Sequence, residues 1–413
     1  MSGVSKDLIR CAVLVIGAGP GGASAAYVLA RAGVDVVLAD RVHFPRDKPC
    51  GDGLTPYCVE ILDDMGVTQF LVEHGRPYSG VRVHKLDRSI TRISLQADSE
   101  GKSSPGYVLP RYNLDNALVE LAILAGARFL PGFIPISFAQ DAGINVATPS
   151  FTVAARWEGR IIEVCTNLLI IATGANRRLL NRIGLAVSGA PTALGLRAYM
   201  GSLQGLEQTL EIFLDEEILP GYGWIYPTGD ETANVGVGVH LYGKDISEGI
   251  RQMHAAFRRL LNDERLAKGV LVSRIQGYPI HADYPLTPTC FPGGLVVGEA
   301  AGLVDPITGE GLSPALVSGH LAALTAIDAI RVGDFSYTQL QEYADFLRIK
   351  YGRYFSDGQN LIRWLAGPGV IKKLINCARE DQRIAAALDL AIKARRPGAA
   401  LELLIEVTGE TCQ

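Results

Sequence analysis

The 413-residue chain lacks the cysteine and histidine patterns that hold disulfides or metals. Its seven cysteines are scattered and odd in number, and no two of them form a Cys-x-x-Cys pair. Its seven histidines show no ligand spacing, so we expect no metal site. This use of cysteine favours a reducing cytosol over a secreted, disulfide-linked protein.

Long runs of one residue class are also missing. No uninterrupted apolar stretch reaches the roughly 18 residues that a membrane span needs, and the first apolar run, Cys11 to Ile16, is too short for a signal peptide. The net charge of −4 comes without a long basic run, which argues against nucleic acid as the main partner. Apolar residues make up 48% of the chain, so a large core is expected. We expect a cytoplasmic protein that is soluble or contacts a membrane only at its surface.

The clearest motif that is present lies near the N-terminus. An apolar strand, Val13 to Ile16, runs into Gly17-Ala18-Gly19-Pro20-Gly21-Gly22, followed by a helical stretch and a second strand that ends at Asp40-Arg41. In such a unit Gly17 permits the tight turn, Gly19 admits a pyrophosphate and Gly22 lets the helix pack on the strand. The unpaired N–H groups at the helix N-terminus would bind the phosphates, and the Asp40 carboxylate would accept a hydrogen bond from a ribose hydroxyl. The pattern predicts a bound dinucleotide.

Elements of the same kind recur later in the chain. Asn167 to Ala172 is typical of a buried strand and leads directly into Thr173-Gly174. Gly294 to Gly298 is a further predicted buried strand, and a helix is predicted from about Leu312 to Arg331. The segment between the two predicted buried strands, Ala193 to Leu241, is typical of β-strands. We therefore predict an α/β fold with a discontinuous Rossmann-like cofactor domain (1–75, 105–180 and 285–332). An antiparallel β-sheet substrate domain (76–104 and 181–284) and a helical C-terminal region (333–413) complete the prediction.

A short loop after the second strand, residues 46–54, contains Cys50 and Gly51; we call it the cysteine loop. Two glycines flank Asp52, which predicts unusual backbone geometry next to a planar ring. A solvent-exposed turn with an incidental thiol is the alternative interpretation of this segment alone.

Three aromatic residues alternate along one predicted strand. Tyr222, Trp224 and Tyr226 therefore face the same side, and Gly236 and Gly238 remove side chains from the next strand. Aromatic side chains opposite glycines predict an apolar slot, and we call these five residues the aromatic slot. Spacing alone is equally consistent with an aromatic ladder in the core.

The segment from Gly298 to Leu312 combines small residues with three carboxylates. Gly309 and Gly311 allow the backbone to lie against a cofactor, and the helix that begins at Leu312 points its N-terminus inward. Glu299 alone would more often be a capping or turn residue, but the whole segment is difficult to explain as turn chemistry.

Together these segments resemble the geranylgeranyl reductases, which are FAD enzymes of the aromatic-hydroxylase-like flavoprotein fold, over residues 10 to 330. Cys50 and Gly51 resemble the family's cysteine-glycine loop beside the flavin. Arg111, in Pro-Arg-Tyr-Asn-Leu-Asp, resembles the family's FAD-contacting arginine. The Gly298 segment is similar to the second flavin-binding motif, and the aromatic slot is similar to the substrate-cavity signature.

The resemblance implies a reaction and a set of roles. Reduced FAD is expected to transfer hydride from N5 to a carbon–carbon double bond of an isoprenoid chain, and Cys50 is expected to lie nearest the reacting centre as proton donor. NADPH or a ferredoxin-type protein is the expected electron donor, and lipid biosynthesis the expected context. Where the family usually has phenylalanine the chain has Tyr226, whose additional hydroxyl needs a partner. Asp40 stands where the family usually has glutamate, and Glu299 stands where it usually has aspartate.

Two other enzyme classes share this fold and remain open on the sequence. An FAD monooxygenase would hydroxylate or epoxidise its substrate, and the glycine motifs alone do not separate it from a reductase. A flavin halogenase is disfavoured because its paired-tryptophan motif is missing and the segment contains only Trp224. A non-enzymatic FAD-bearing scaffold would require a filled cavity.

Overall fold

The computed structural model describes residues 7–84, 90–94, 105–140, 151–185, 187–367, 369–377, 383–392 and 395–409. The strands in chain order are β1 Asp7–Ile16, β2 Val36–Asp40, β3 Gly53–Leu54, β4 Arg76–Tyr78, β5 Gly80–His84, β6 Ile90–Ser94, β7 Gly106–Val108, β8 Arg128–Pro131, β9 Ile134–Gln140, β10 Phe151–Trp157, β11 Arg160–Ile171, β12 Ala193–Gly201, β13 Leu210–Phe213, β14 Tyr222–Pro227, β15 Ala233–His240, β16 Val270–Leu271, β17 Gln276–Ile280, β18 Cys290–Phe291 and β19 Gly294–Val296.

The α-helices in chain order are α1 Pro20–Arg31, α2 Pro56–Asp64, α3 Thr68–His74, α4 Arg111–Leu124, α5 Arg178–Arg182, α6 Ile246–Leu260, α7 Leu312–Val332, α8 Tyr337–Leu347, α9 Arg353–Leu365, α10 Val370–Cys377, α11 Arg383–Ile392 and α12 Pro397–Thr408. A 3₁₀ helix covers Gly298–Ala301, and a π-helical turn, Arg348–Gly352, joins α8 to α9.

The first large sheet has a parallel centre. Its strands run in the order β18-β19-β11-β1-β2-β8, and all neighbours from β19 to β8 are parallel. Strand β10 pairs antiparallel with β11, and β9 pairs antiparallel with β10, which extends the sheet by two strands. Because the carboxyl ends of parallel strands share one edge, Gly17, Asp40 and Thr173 come together there although they are far apart in sequence.

The second sheet has two faces of different character. It runs β16-β12-β15-β14-β13-β5-β6, with β17 also paired to β12. The face that carries Val235 and Val237 packs in a core with Met253 and Phe257 of α6. Side chains alternate along strands, so the other face of β12, β15 and β14 presents three rows of three. The cross-strand register forms these rows as follows: Tyr199, Asn234 and Tyr226; Arg197, Gly236 and Trp224; Gly195, Gly238 and Tyr222.

Helices α1 and α7 cross with their backbones in close contact. A Cβ atom on Gly319 would lie 2.1 Å from the carbonyl oxygen of Gly21. In the described part of the chain, α7 is also the one helix long and apolar enough to cross a membrane by length and composition. Its Leu316, Ala322 and Ala326 are fully buried in the first core, so within this fold α7 is a core helix.

Helices α9 to α12 form a third core cluster, whereas α8 packs in the first core. Trp364 of α9 is buried with Leu361 and Leu404, and Ile307 of the Gly298 segment packs against this cluster. Gly358 of α9 faces Pro306 so closely that a Cβ there would lie 2.7 Å from its Cγ. The C-terminal helices therefore support the segment expected to hold the cofactor ring.

Most predicted elements are confirmed, with different limits. Strand β14 begins and ends where the alternation predicts, and α7 extends one residue further. The amphipathic pattern of Asn116 to Ala125 predicts a helix, but α4 already begins at Arg111, which forms an ion pair one turn along with Asp115. Strand β11 begins at Arg160 rather than Asn167, because its first half pairs with β10 and alternates instead of being uniformly apolar. The strand predicted from Gly294 ends at Val296, where the chain turns into the 3₁₀ helix.

We predict that Gly319→Ala destabilises the fold by about 1–3 kcal/mol, because the added methyl group meets a backbone oxygen that cannot move aside alone. The free energy of unfolding in urea measures this effect. Gly352→Ala is the matched control, since its Cβ would approach the flexible Arg348 side chain at 3.4 Å. Equal stability of the two variants would contradict close packing between α1 and α7.

Candidate active site

A cavity of about 1080 Å³ lies between the two large sheets. Its volume is at the upper end of the roughly 300–1,000 Å³ that small-molecule sites usually occupy. The residues predicted for the site line it, except Gly22 and Gly236. These lining residues are Gly17, Gly19, Pro20, Asp40, Arg41, Cys50, Gly51, Arg111, Thr173, Gly174, Tyr222, Trp224, Tyr226, Gly238, Glu299, Gly309, Gly311 and Leu312.

The N-terminal glycine turn forms one end of the cavity. Gly17 has a φ of +109°, and a Cβ on Gly22 would lie 1.8 Å from the carbonyl oxygen of Gly17. Gly22 therefore serves the contact between helix and turn and does not face the cavity. Helix α1 begins without a side-chain cap or an acidic residue in its first turn, and a Cβ on Gly19 would meet nothing nearer than Arg46, at 3.8 Å. An anionic group would fit at this uncapped end.

The Asp40 carboxylate already has two backbone partners. One oxygen accepts a hydrogen bond from the Ala18 amide at 2.7 Å, and the other accepts from the Val42 amide at 3.1 Å. Asp40 thus fixes the glycine turn and its own loop. A carboxylate oxygen has more than one lone pair, so these bonds leave capacity for the ribose contact predicted from the sequence.

The Gly298 segment lies opposite, at the start of α7. Glu310 accepts hydrogen bonds from the Ser313 amide at 2.7 Å and from its hydroxyl at 3.2 Å. Burial raises the pKa of Glu310 to about 7, although these bonds lower it. Glu299 lies 3.4 Å from the Lys48 ammonium and accepts from the His281 amide at 3.3 Å.

The cysteine loop crosses from the first sheet to the second. The unusual backbone geometry predicted for this loop is found at Asp52, which has a φ of +63°, and not at the two glycines, neither of which has a positive φ. The glycines are needed for a different reason. The Tyr226 ring lies on them, and a Cβ atom would come within 3.1 Å of that ring at Gly51 and within 3.4 Å at Gly53.

The aromatic slot is closed at one predicted opening. A Cβ on Gly236 would lie 2.2 Å from the Trp224 ring, so this glycine seats the indole and the prediction that it leaves open space is wrong. Gly238 is less crowded, with the same ring 3.9 Å away, and it does line the cavity. The Tyr222 hydroxyl donates a hydrogen bond to the Thr308 carbonyl, which joins the slot to the Gly298 segment.

Arg111 is buried at the start of α4 and is committed to an internal partner. Its Nε and Nη2 donate to the two oxygens of Asp115 at 2.6 and 2.7 Å, and Arg46 lies 2.7 Å from the same carboxylate. Burial lowers the pKa of Arg111, but Asp115 and, to a smaller degree, Cys50 raise it above its ordinary value. The guanidinium therefore stands beside Cys50 at the cavity wall.

Sequence reasoning missed a buried polar group behind the cysteine loop. The Asp52 carboxylate accepts hydrogen bonds from the Tyr199 hydroxyl and from the side-chain amide of Asn234, the latter at 2.8 Å. The Arg197 guanidinium stacks 4.4 Å from the Tyr199 ring and pairs with Asp47. The sequence signal that could have found Tyr199 and Asn234 is the alternation of side chains along their strands, which places them on the same face of the sheet as the aromatic residues.

Two protein-family models match the chain. A family model described as an FAD binding domain matches residues 10–216, and one described as a geranylgeranyl reductase catalytic domain matches residues 193–273. The chain belongs to the geranylgeranyl reductase family of FAD-dependent oxidoreductases. The resemblance expected from the motifs is thereby confirmed, as are the α/β flavoprotein fold and the cofactor.

Two of the relatives match this chain over most of its length at 30% identity or more. The chain is 32% identical over 377 residues to a menaquinone reductase of Mycobacterium tuberculosis, with 86% of this chain and 84% of that protein covered. It is 30% identical over 347 residues to digeranylgeranylglycerophospholipid reductase 1 of Methanopyrus kandleri, with 81% and 84% covered. Both names describe reductases.

Solved structures agree on the fold. A geranylgeranyl bacteriochlorophyll reductase-like protein of Thermoplasma acidophilum superposes with a TM-score of 0.80 at 25% identity, covering 96% of this chain and all of that one. Flavin halogenases and a probable FAD-dependent monooxygenase match at 18–21% identity, which shows a shared fold alone.

The residues present fit FAD. An uncapped helix end suits a pyrophosphate, and the cavity is larger than a nucleotide alone needs. Within the described residues, Nε and Nη1 of the almost fully buried Arg197 have no hydrogen-bond partner, and Arg197 lines the cavity. Buried donors of this kind need acceptors, which the carbonyl-bearing ring of a flavin offers.

We predict that Asp52→Asn flattens the pH dependence of stability. Burial raises the pKa of Asp52 from 3.8 to about 6, although bonds from Tyr199 and Asn234 lower it. The folded state therefore holds this proton more tightly than the unfolded chain, and wild-type stability falls as the pH rises through this window. The loss amounts to about 3 kcal/mol at neutral pH.

The measurement is the free energy of unfolding in urea from about pH 4 to about pH 7 for wild type and variant. The difference between them should change with pH in favour of the variant. Asn262→Ser, at an exposed position after α6, changes no titratable group and should give a constant difference. A constant difference for Asp52→Asn would contradict a raised pKa.

Proposed function

We propose that this FAD-dependent reductase saturates carbon–carbon double bonds of an isoprenoid chain. The observation that carries the proposal is the aromatic slot, which opens into the same cavity as the cysteine loop and the cofactor segments. The compounds that name its relatives, menaquinone and a digeranylgeranyl lipid, both carry polyprenyl chains. A chain of that kind needs an elongated apolar surface.

Each part of the chain has a task in this reaction. Reduced FAD, held by the Gly17 turn and the Gly298 segment, would supply the hydride that one alkene carbon requires. The rings of Tyr222, Trp224 and Tyr226 hold the polyprenyl chain and exclude water. The other alkene carbon requires a proton, and we assign its donation to the Cys50 thiol, which stands at the cavity wall beside Arg111.

The Tyr226 hydroxyl is a second point of contact for the substrate. Its ring is held by the glycines of the cysteine loop and lines the cavity. A substrate oxygen close to the reacting bond would pair with the hydroxyl. NADPH or a ferredoxin-type protein stays the predicted electron donor. The predicted location is the cytoplasm, with contact at a membrane surface.

The test of the reaction is anaerobic reduction of the FAD-loaded protein, followed by addition of a geranylgeranyl lipid, menaquinone or air in separate samples. We expect the yellow colour to return with a polyprenyl compound and the product to gain two hydrogen atoms per double bond. Colour that returns only with air, together with an oxygenated product, would establish a monooxygenase instead.

We predict that Cys50→Ala lowers turnover by about 10²-fold or more, the usual contribution of a positioned proton donor, while FAD content stays at the wild-type level. Steady-state kinetics and the flavin absorbance of the purified protein measure the two quantities. Cys165→Ala is the matched control, because Cys165 is a half-buried free cysteine on β11 outside the cavity lining. Unchanged turnover in Cys50→Ala would remove Cys50 from the proton-donor role.

A further inference from the structure

Asn234 occupies the centre of the site-facing side of the second sheet. It lies on β15 between Tyr199 of β12 and Tyr226 of β14, and it is completely buried. A buried side-chain amide is costly unless its donors and its acceptor are satisfied. Asn234 satisfies them with three groups that belong to different parts of the site.

The three hydrogen bonds fix the orientation of the amide. Oδ1 accepts from the Trp224 indole at 2.9 Å, while Nδ2 donates to the Cys50 carbonyl at 2.7 Å and to Asp52 at 2.8 Å. An indole N–H can only donate, so the atom that faces Trp224 must be the oxygen. The amide therefore cannot rotate by half a turn without losing all three bonds.

The groups around the amide hold it in turn. Asp52 also accepts from the Tyr199 hydroxyl and, at 3.3 Å, from the Arg111 backbone amide. Arg197 lies over the Tyr199 ring, and both Arg197 and Arg111 attract the Asp52 charge. The charged and titratable groups around the Asn234 amide are thus Asp52, Tyr199, Tyr226, Arg197, Arg111 and Cys50.

We propose that Asn234 is a positioning residue of this reductase. Its amide links the Trp224 wall of the slot to the Cys50 carbonyl, and it thereby sets where the Cys50 thiol stands relative to the bound polyprenyl chain. The catalytic part of this inference rests on the proposed function; the link between Asn234 and the position of Cys50 does not.

Two substitutions separate the hydrogen bonds from the charge. Asn234→Asp has nearly the same shape but replaces the donor with an acceptor, which then faces the Cys50 carbonyl and the Asp52 carboxylate. Asn234→Ala removes all three bonds without adding charge. Asn262→Asp, at an exposed position after α6, is the matched control for the change of residue type.

The first readout needs no substrate. In the FAD-loaded protein, mass spectrometry follows the rate at which iodoacetamide alkylates Cys50. We expect the rate constant to change in both Asn234 variants, because the loop loses its anchor, and to stay at the wild-type value in Asn262→Asp. The expected change in the alkylation rate does not depend on whether the substrate is a polyprenyl chain.

The second readout is kinetic. We expect kcat to fall by at least about tenfold in both variants, the usual consequence of leaving buried groups unpaired, with a smaller change in KM. In Asn234→Asp the loss should recover as the pH falls, because a proton shared with Asp52 restores a donor between the two carboxyl groups. Asn234→Ala should show no such recovery.

The outcomes decide the proposal. Far-UV circular dichroism and FAD content identify a variant that fails to fold, and the remaining variant then carries the test. A wild-type alkylation rate or a wild-type kcat in the folded variants would overturn the assignment. A wild-type enzyme that reduces no polyprenyl compound would overturn the proposed function, while the alkylation result would still decide the link between Asn234 and Cys50.

Discussion

Burial of the Asp52 carboxylate is the constraint on which the arrangement of the site depends. This side chain is fully buried, and its residue has a left-handed backbone conformation that side-chain-bearing residues rarely adopt. Such a group persists only when its surroundings supply donors, and Tyr199, Asn234 and the Arg111 amide do so. These donors come from the second sheet and from α4, so satisfying one carboxylate brings the cysteine loop, the slot and α4 together.

The parts of the fold that depend on local pattern could be predicted from the sequence. The turn at Gly17 and the strand that ends at Asp40 follow from neighbouring residues, and the shared face of Tyr222, Trp224 and Tyr226 follows from alternation. The beginnings of α4 and β11 could not, because they depend on an ion pair and on pairing with β10. These are partners that a single-sequence pattern does not reveal.

The site itself was only partly predictable, for the same reason. The sequence of its own strand predicts that Gly236 leaves open space in the slot. The pairing with β14, however, places Gly236 under the Trp224 ring. Asn234 bonds to Cys50, 184 positions away in the chain, and no local signal marks that contact. The glycines of the cysteine loop were correctly identified as special, yet the reason is the Tyr226 ring and not backbone conformation. Long-range packing decides the function of small residues here.

The central claim is that the chain directs reducing equivalents into a carbon–carbon double bond and not into oxygen chemistry. The most direct measurement is a single turnover of the reduced, FAD-loaded protein with a geranylgeranyl lipid in heavy water without oxygen, with the product analysed by mass spectrometry and NMR. The account predicts two deuterium atoms on adjacent carbons of a former double bond. A lipid that remains unsaturated under these conditions, and gains an oxygen atom once air is admitted, would contradict it.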